Sequence, residues 1–311
     1  MRIVFMGTPD FAVPSLRKFA SGSVHQVVGV VTQPDRPKGR GLRVRCTPIT
    51  MEASRYGLPL FQPGDLRSDE FLSRLKAWGG DCFVVVGFRI LPPEVFEMPP
   101  KGTVNLHASL LPKYRGAAPI QWALINGEKK TGVTTFFIQK KVDTGDLILQ
   151  ESVTIGKDET AGELHDRLAA VGADLLVKTL ALMEEGRVER IPQKGVPTSA
   201  PKITTEHCEI DWNHPAEDIV NQVRGLSPRP GAFTTWKNKR LKIFRAVAEE
   251  DSDKRSNQPG RVATVSDQNI GVESSDGLVR IHQLQLEGKR AMPVDLFLRG
   301  SDISTGTILG A

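Results

Sequence analysis

Two positions apart at the end of the short apolar run 102–107 stand an amide and an imidazole, Asn105 and His107. Side chains at that spacing on a strand leave the same face, roughly 7 Å apart. Leu106, between them, is expected to face the other way, into the core. Such a pair offers two hydrogen-bond donors to one developing negative charge without a metal. After the run 132–138 comes Val142-Asp143-Thr144-Gly145-Asp146. Asp143 would orient and charge the imidazole and help remove a proton from an attacking amine, directly or through water. Together the three suit acyl transfer to an amine. Each also has a plainer reading: strand-end groups satisfied by loops for Asn105 and His107, a turn residue for Asp143. Covalent catalysis is less favoured, because Ser109 lies in no G-x-S-x-G elbow and no Cys-His pair is evident. His25, His165, His207, His214 and His282 lack metal-ligand spacing, and no metal is expected.

The elements that position these residues follow from the hydrophobic pattern. Strands are expected at Arg2–Met6, Val24–Thr32, Asp81–Gly87, Gly102–His107, Gly132–Ile138 and Leu147–Glu151. Helices are expected at Val13–Ala20, near Ile49–Tyr56, at Asp69–Trp78 and at Thr160–Glu185. Unbroken apolar strands alternating with helices indicate an α/β fold with a mainly parallel, Rossmann-like sheet and helices on both faces. Ligands in such sheets sit at strand carboxyl ends, so the end of 102–107 and the loop bearing Asp143 are expected to converge. The first strand is not followed by G-x-G-x-x-G, which argues against a dinucleotide. Residues 189–207, with three prolines, read as a linker. Beyond it, short strands with turn signals at Lys237-Asn238 and Asp267-Gln268 suggest a small C-terminal β barrel, OB-like being one form. The expected division is 1–188, 189–207 and 208–311.

Composition bounds the partners. The 311 residues are 39% apolar and 25% charged, ordinary for a soluble protein of two domains. Aromatics are only 6%, too few for base stacking to dominate binding. The formal charge of +5 is concentrated. Arg36, Lys38, Arg40, Arg43 and Arg45 fall within 32–45 against Asp35 alone. Arg224, Arg229, Lys237, Lys239, Arg240, Lys242 and Arg245 fall within 221–245, which has no acid. Either stretch alone could be a solvated face; the two together suggest an extended polyanion. Cys46, Cys82 and Cys208 fit neither a disulfide framework nor a zinc site. With no long apolar segment, a cytoplasmic protein is expected.

The segment 105–123 (N-L-H-A-S-L-L-P-K-Y-R-G-A-A-P-I-Q-W-A), with G-V-T-T-F-F-I and V-D-T-G-D after it, resembles the methionyl-tRNA formyltransferase family. So do M-G-T-P-D-F-A-V-P at 6–14, T-Q-P-D-R-P-K-G-R-G at 32–41 and R-G-L-S-P-R-P-G-A-F-T at 224–234. The resemblance runs in order along nearly the whole chain. It implies formyl transfer from 10-formyltetrahydrofolate, a co-substrate, to the α-amine of methionyl initiator tRNA, in translation initiation. Asn105, His107 and Asp143 match the family's catalytic trio. Folate contacts are implied for Phe88, Arg89, Ile90 and Leu91 and for Ser109, Leu110, Leu111 and Pro112. tRNA contacts are implied for Arg36, Lys38, Arg40, Arg43 and Arg45, with Arg40 at a tRNA-contacting arginine of an insertion loop. Arg224, Arg229, Lys237, Lys239 and Arg240 would hold tRNA from the second domain. A monomer is expected. One departure stands out: Val86-Gly87-Phe88-Arg89-Ile90-Leu91-Pro92 is a residue shorter than the family's usual step there. Formyltransferases acting on a glycinamide or an amino sugar share the trio but need neither basic stretch. A non-catalytic RNA-binding protein would have no use for the trio.

Overall fold

The structure, a computed structural model, describes residues 1–22, 24–38, 43–250 and 258–310. Its residues group into two compact units. The first joins Met1–Gly116, Lys130–Thr154 and His165–Ala200; the second joins Ala117–Lys129, Ile155–Leu164 and Pro201–Ala311.

Strands of the first unit are β1 (Arg2–Gly7), β2 (Gln26–Val31), β3 (Arg36–Lys38), β4 (Arg43–Arg45), β5 (Leu60–Phe61) and β6 (Cys82–Val86). They continue with β7 (Thr103–His107), β8 (Arg115–Gly116), β9 (Lys130–Phe137), β10 (Leu147–Thr154) and β11 (Ser199–Ala200). The main sheet runs β10-β9-β7-β6-β1-β2-β5. Five neighbours, β5 through β7, are parallel, while β9 is antiparallel to β7 and β10 to β9. The uninterrupted Cys82-Phe-Val-Val-Val86 run is buried along its whole length, as a central strand covered on both faces must be. Helices Val13–Ala20 and Asp69–Trp78 form where expected. The second has a Ser68 hydroxyl accepting from Phe71 N–H at its start and a left-handed Gly79 at its end. Between β2 and the helix that follows it, β3 pairs antiparallel with β4 as a small hairpin.

Asp35 anchors the base of that hairpin. Its Oδ1 accepts from Thr47 N–H at 3.1 Å and Gln62 Nε2 at 2.9 Å, and from the Thr50 hydroxyl. Burial alone would raise this carboxyl, but the Gln62 and Thr47 hydrogen bonds outweigh it and hold it below its ordinary value.

In the second unit, β12 (Ala232–Trp236), β13 (Lys239–Glu250), β14 (Val262–Val265), β15 (Ile270–Glu273), β16 (Gly277–Leu286) and β17 (Met292–Pro293) make one antiparallel sheet. Its order is β12-β13-β16-β15-β14, with β17 on β16. Lys237 and Asn238 both have positive φ, 50° and 58°, as a two-residue hairpin turn requires. One helix that the expected pattern lacks is present, Ala216–Leu226. Its apolar positions Ala216, Ile219, Val220, Val223 and Leu226 recur every three or four residues and are buried in the unit's core. The Asp276 carboxylate caps its first turn by accepting from Ala216 N–H at 2.7 Å.

Candidate active site

β7 sets two side chains on one face of the sheet and one on the other. Leu106 is 3% exposed and turns toward the helix Ala161–Glu184, where a Cβ on Gly172 would meet its Cδ2 at 2.7 Å. Asn105 and His107 therefore leave the opposite face, as expected from the strand period. Asn105 is half-buried and His107 is buried.

The His107 ring is oriented from both sides. Its Nε2 lies 2.8 Å from the Tyr114 carbonyl, which can only accept, so Nε2 carries a hydrogen. Its Nδ1 faces Asp143 Oδ2 at 3.8 Å. That gap is too long for a direct hydrogen bond and leaves Nδ1 as the ring atom still available to a reacting group. The Asp143 carboxylate also accepts from Gly116 N–H at 2.9 Å.

Asp143 reaches His107 by a different route from the one expected. β9 is antiparallel to β7, so its last residue, Phe137, lies beside Val104 rather than beside His107. Two parallel strands ending side by side would have converged at their carboxyl ends. Here the loop 138–146 turns back to bring Asp143 to the imidazole.

The expected folate residues divide. Arg89, Ile90 and Leu91 line a cavity of about 390 Å³ together with Gly64, Asp65, Leu66, Arg67, Pro92, Pro93, Phe96 and Lys140. Arg89 donates to the carbonyls of Pro63 at 2.6 Å and Gly64 at 2.9 Å, and its guanidinium lies 5.4 Å from the Phe88 ring centre. Ile90 is 75% exposed. Ser109 and Leu111, by contrast, are buried. Ser109 is fully buried and donates to the Lys113 carbonyl at 2.6 Å; Leu111 packs with Phe136 and Leu147. Leu110 and Pro112 are half-buried. The loop they share is pinned by Thr134 and Gln150, neither of which the sequence reading noted. Thr134 donates to the Ser109 carbonyl at 2.6 Å, and Gln150 donates to that of Leu111 at 2.9 Å.

The basic residues divide as well. Arg40 lies outside the described residues, as do the side chains of Arg36, Lys38 and Arg43. Arg45 is exposed. The register sets Arg36 opposite Arg45 and Lys38 opposite Arg43. Arg229, Lys237, Lys239 and Arg240 are exposed. Lys237 is ion-paired with Asp302, and the Arg240 guanidinium lies 4.1 Å from the Phe233 ring centre. Arg224 is 6% exposed, and its Nε donates to Asn221 Oδ1 at 2.8 Å. Burial lowers its pKa from the ordinary value. Burial likewise pushes the Cys82 thiol up to about 12, which removes it as a nucleophile.

The mainly parallel sheet, with an antiparallel sheet unit following in the chain, is the fold of a formyltransferase. Residues 1–180 match the family described as Formyl transferase, and residues 202–302 match Formyl transferase, C-terminal domain. A methionyl-tRNA formyltransferase of Desulforamulus reducens is 49% identical over 100% of this chain and 98% of its own. The chain belongs to the methionyl-tRNA formyltransferase family, and it is an enzyme. Two solved structures share the fold at low identity. WlaRD, described as a sugar 3N-formyl transferase in the presence of dTdp and 5-N-Formyl-THF, is 18% identical. It superposes with a TM-score of 0.66 over 93% of this chain and 99% of its own. HypX from Aquifex aeolicus, in complex with tetrahydrofolic acid, is 19% identical, with a TM-score of 0.64 over 99% of this chain. The chain spans about half the length of HypX, 50%. Among the described residues no helix is long and apolar enough to cross a membrane.

Proposed function

We infer that the enzyme moves a formyl group from 10-formyltetrahydrofolate to the α-amine of methionyl initiator tRNA, in the cytoplasm, for translation initiation. The observation that carries the chemistry is the imidazole of His107 held between the Tyr114 carbonyl and Asp143, on the same strand face as Asn105. An α-amino group titrates near pH 8, so a useful neutral fraction exists to attack. The amine nitrogen bonds to the formyl carbon, whose carbonyl oxygen becomes an oxyanion. The Asn105 amide and the Nδ1 hydrogen of a protonated His107 stabilise that charge. As the carbon–nitrogen bond to the folate breaks, the folate nitrogen gains a proton and the former amine loses one. Asp143 complements the proton on Nδ1 and is the carboxylate placed to assist that loss, directly or through water. The cavity at Arg89–Leu91 offers an apolar wall of Leu91, Pro92 and Phe96 to a folate ring, beside the cations Arg67, Arg89 and Lys140.

The choice of acceptor rests on the basic ribbon. Like charges opposed across β3–β4 destabilise the ladder when nothing neutralises them, and an RNA backbone does so. Arg40, with Arg36, Lys38, Arg43 and Arg45, would meet the acceptor end. Arg229, Lys237, Lys239 and Arg240 would meet the tRNA from the second unit, with Arg224 supporting them from within. In this scheme 1–188 is the catalytic domain, 189–207 the linker and 208–311 the tRNA-binding domain, in a monomer. Radiolabelled formyl donor supplied with methionyl-tRNA, a glycinamide and an amino sugar tests it. Label is expected on methionyl-tRNA alone, at a rate that falls steeply as salt is raised. Label on a small acceptor alone would overturn the reading.

A further inference from the structure

From Glu189 to Ser199 every residue is exposed except Gln193, which is half-buried. Both ends of its amide are engaged. Nε2 donates to the Asp143 carbonyl at 3.0 Å and to the Gly145 carbonyl at 2.9 Å. Oε1 accepts from Arg115 Nη2 at 2.6 Å. Carbonyls only accept and a guanidinium only donates, so these partners also fix which end of the amide is nitrogen.

These bonds close a ring around Asp143. Arg115 precedes Gly116, whose N–H holds the Asp143 carboxylate. From there the path runs through the Arg115 guanidinium and the Gln193 amide to the Asp143 backbone carbonyl. Both ends of one residue are therefore gripped by one device. The anchor is itself fixed: Arg115 N–H donates to the Thr198 carbonyl at 2.9 Å, and Arg115–Gly116 pair with Ser199–Ala200. At Gly116, with φ 127°, a Cβ would stand 2.6 Å from the Ala200 carbonyl oxygen, so the approach admits only glycine. Asp143 needs such a grip. Its φ of 54° lies in the left-handed region, which a non-glycine residue keeps only where its surroundings over-determine it.

We propose that Gln193, in the stretch read as a linker, is a positioning residue that sets how Asp143 addresses His107. The proposal rests on the catalytic role inferred for Asp143 above. Gln193 does not touch substrate; it acts through the 138–146 loop. Gln193→Met keeps the length of the side chain and deletes all three hydrogen bonds. It is expected to lower kcat by about 10- to 100-fold, the scale of a misplaced catalytic group. KM for folate and for methionyl-tRNA should stay within about threefold, because no binding contact is removed. Gln193→Glu, which keeps an acceptor for Arg115 but turns a second oxygen on the two carbonyls, should lose kcat similarly.

The deciding readout is the same substitution in an Asp143→Asn background. There Gln193→Met should cost less than about threefold, since the carboxylate it positions is already gone. Equal losses in the two backgrounds would reduce Gln193 to a structural residue and overturn the proposal. So would a normal kcat in Gln193→Met or in Gln193→Glu beside a crippled Asp143→Asn, and that pattern would leave the role of Asp143 standing. A normal kcat in Asp143→Asn would instead overturn the reading beneath it.

Discussion

An Asp143→Asn enzyme is expected to bind both substrates and to transfer the formyl group on the order of 10³-fold more slowly. The amide has the same size, and its oxygen can still accept from Gly116 N–H. What disappears is the negative charge 3.8 Å from His107 Nδ1. Because Nε2 is committed to the Tyr114 carbonyl, Nδ1 is the ring atom left for the reaction, and its proton loses its partner. The measurement is kcat by rapid quench, with folate and tRNA dissociation constants determined separately. A loss confined to binding would take Asp143 out of the chemistry.

Phe136→Ala is expected to cost about 3–5 kcal/mol of stability, read as a shift in urea unfolding. Phe136 is 2% exposed and packs with Leu111 and Leu147. It also sits opposite Asn105 in the β7–β9 ladder. The cavity would open under the strand that aims the two donors, so the folded fraction should also turn over more slowly. A cost below about 1 kcal/mol would mean that the site closes over the gap without loss.

Much of this was readable from residue order because the signals are local. An apolar run such as 82–86 can only be a covered strand, and two polar side chains flanking Leu106 must share a face. Strand direction is not local. Nothing in the pattern of 132–138 tells whether β9 runs with or against β7, so the path of Asp143 to the site could not be read. Burial of charge is equally hidden. Arg224 counts as one more cation in a basic stretch until the helix Ala216–Leu226 turns it inward beside Asn221. That helix keeps its three-and-four spacing of apolar residues, but Asp218, Asn221 and Arg224 stand between them and the charges around it mask the pattern. Gln193 left no trace at all. In sequence it is one polar residue after a proline, and only the folded loop brings the Asp143 carbonyl and Arg115 to it.

Direct transfer from folate to amine on the surface formed by Asn105, His107 and Asp143 is the central claim. A single-turnover reaction with labelled 10-formyltetrahydrofolate and excess enzyme, acid-quenched over time, tests it most directly. Label should leave the folate and appear on the methionyl-tRNA amine at one rate, with none on the protein at any time. Labelled protein that forms before the product, or label that leaves the folate without reaching the amine, would contradict it.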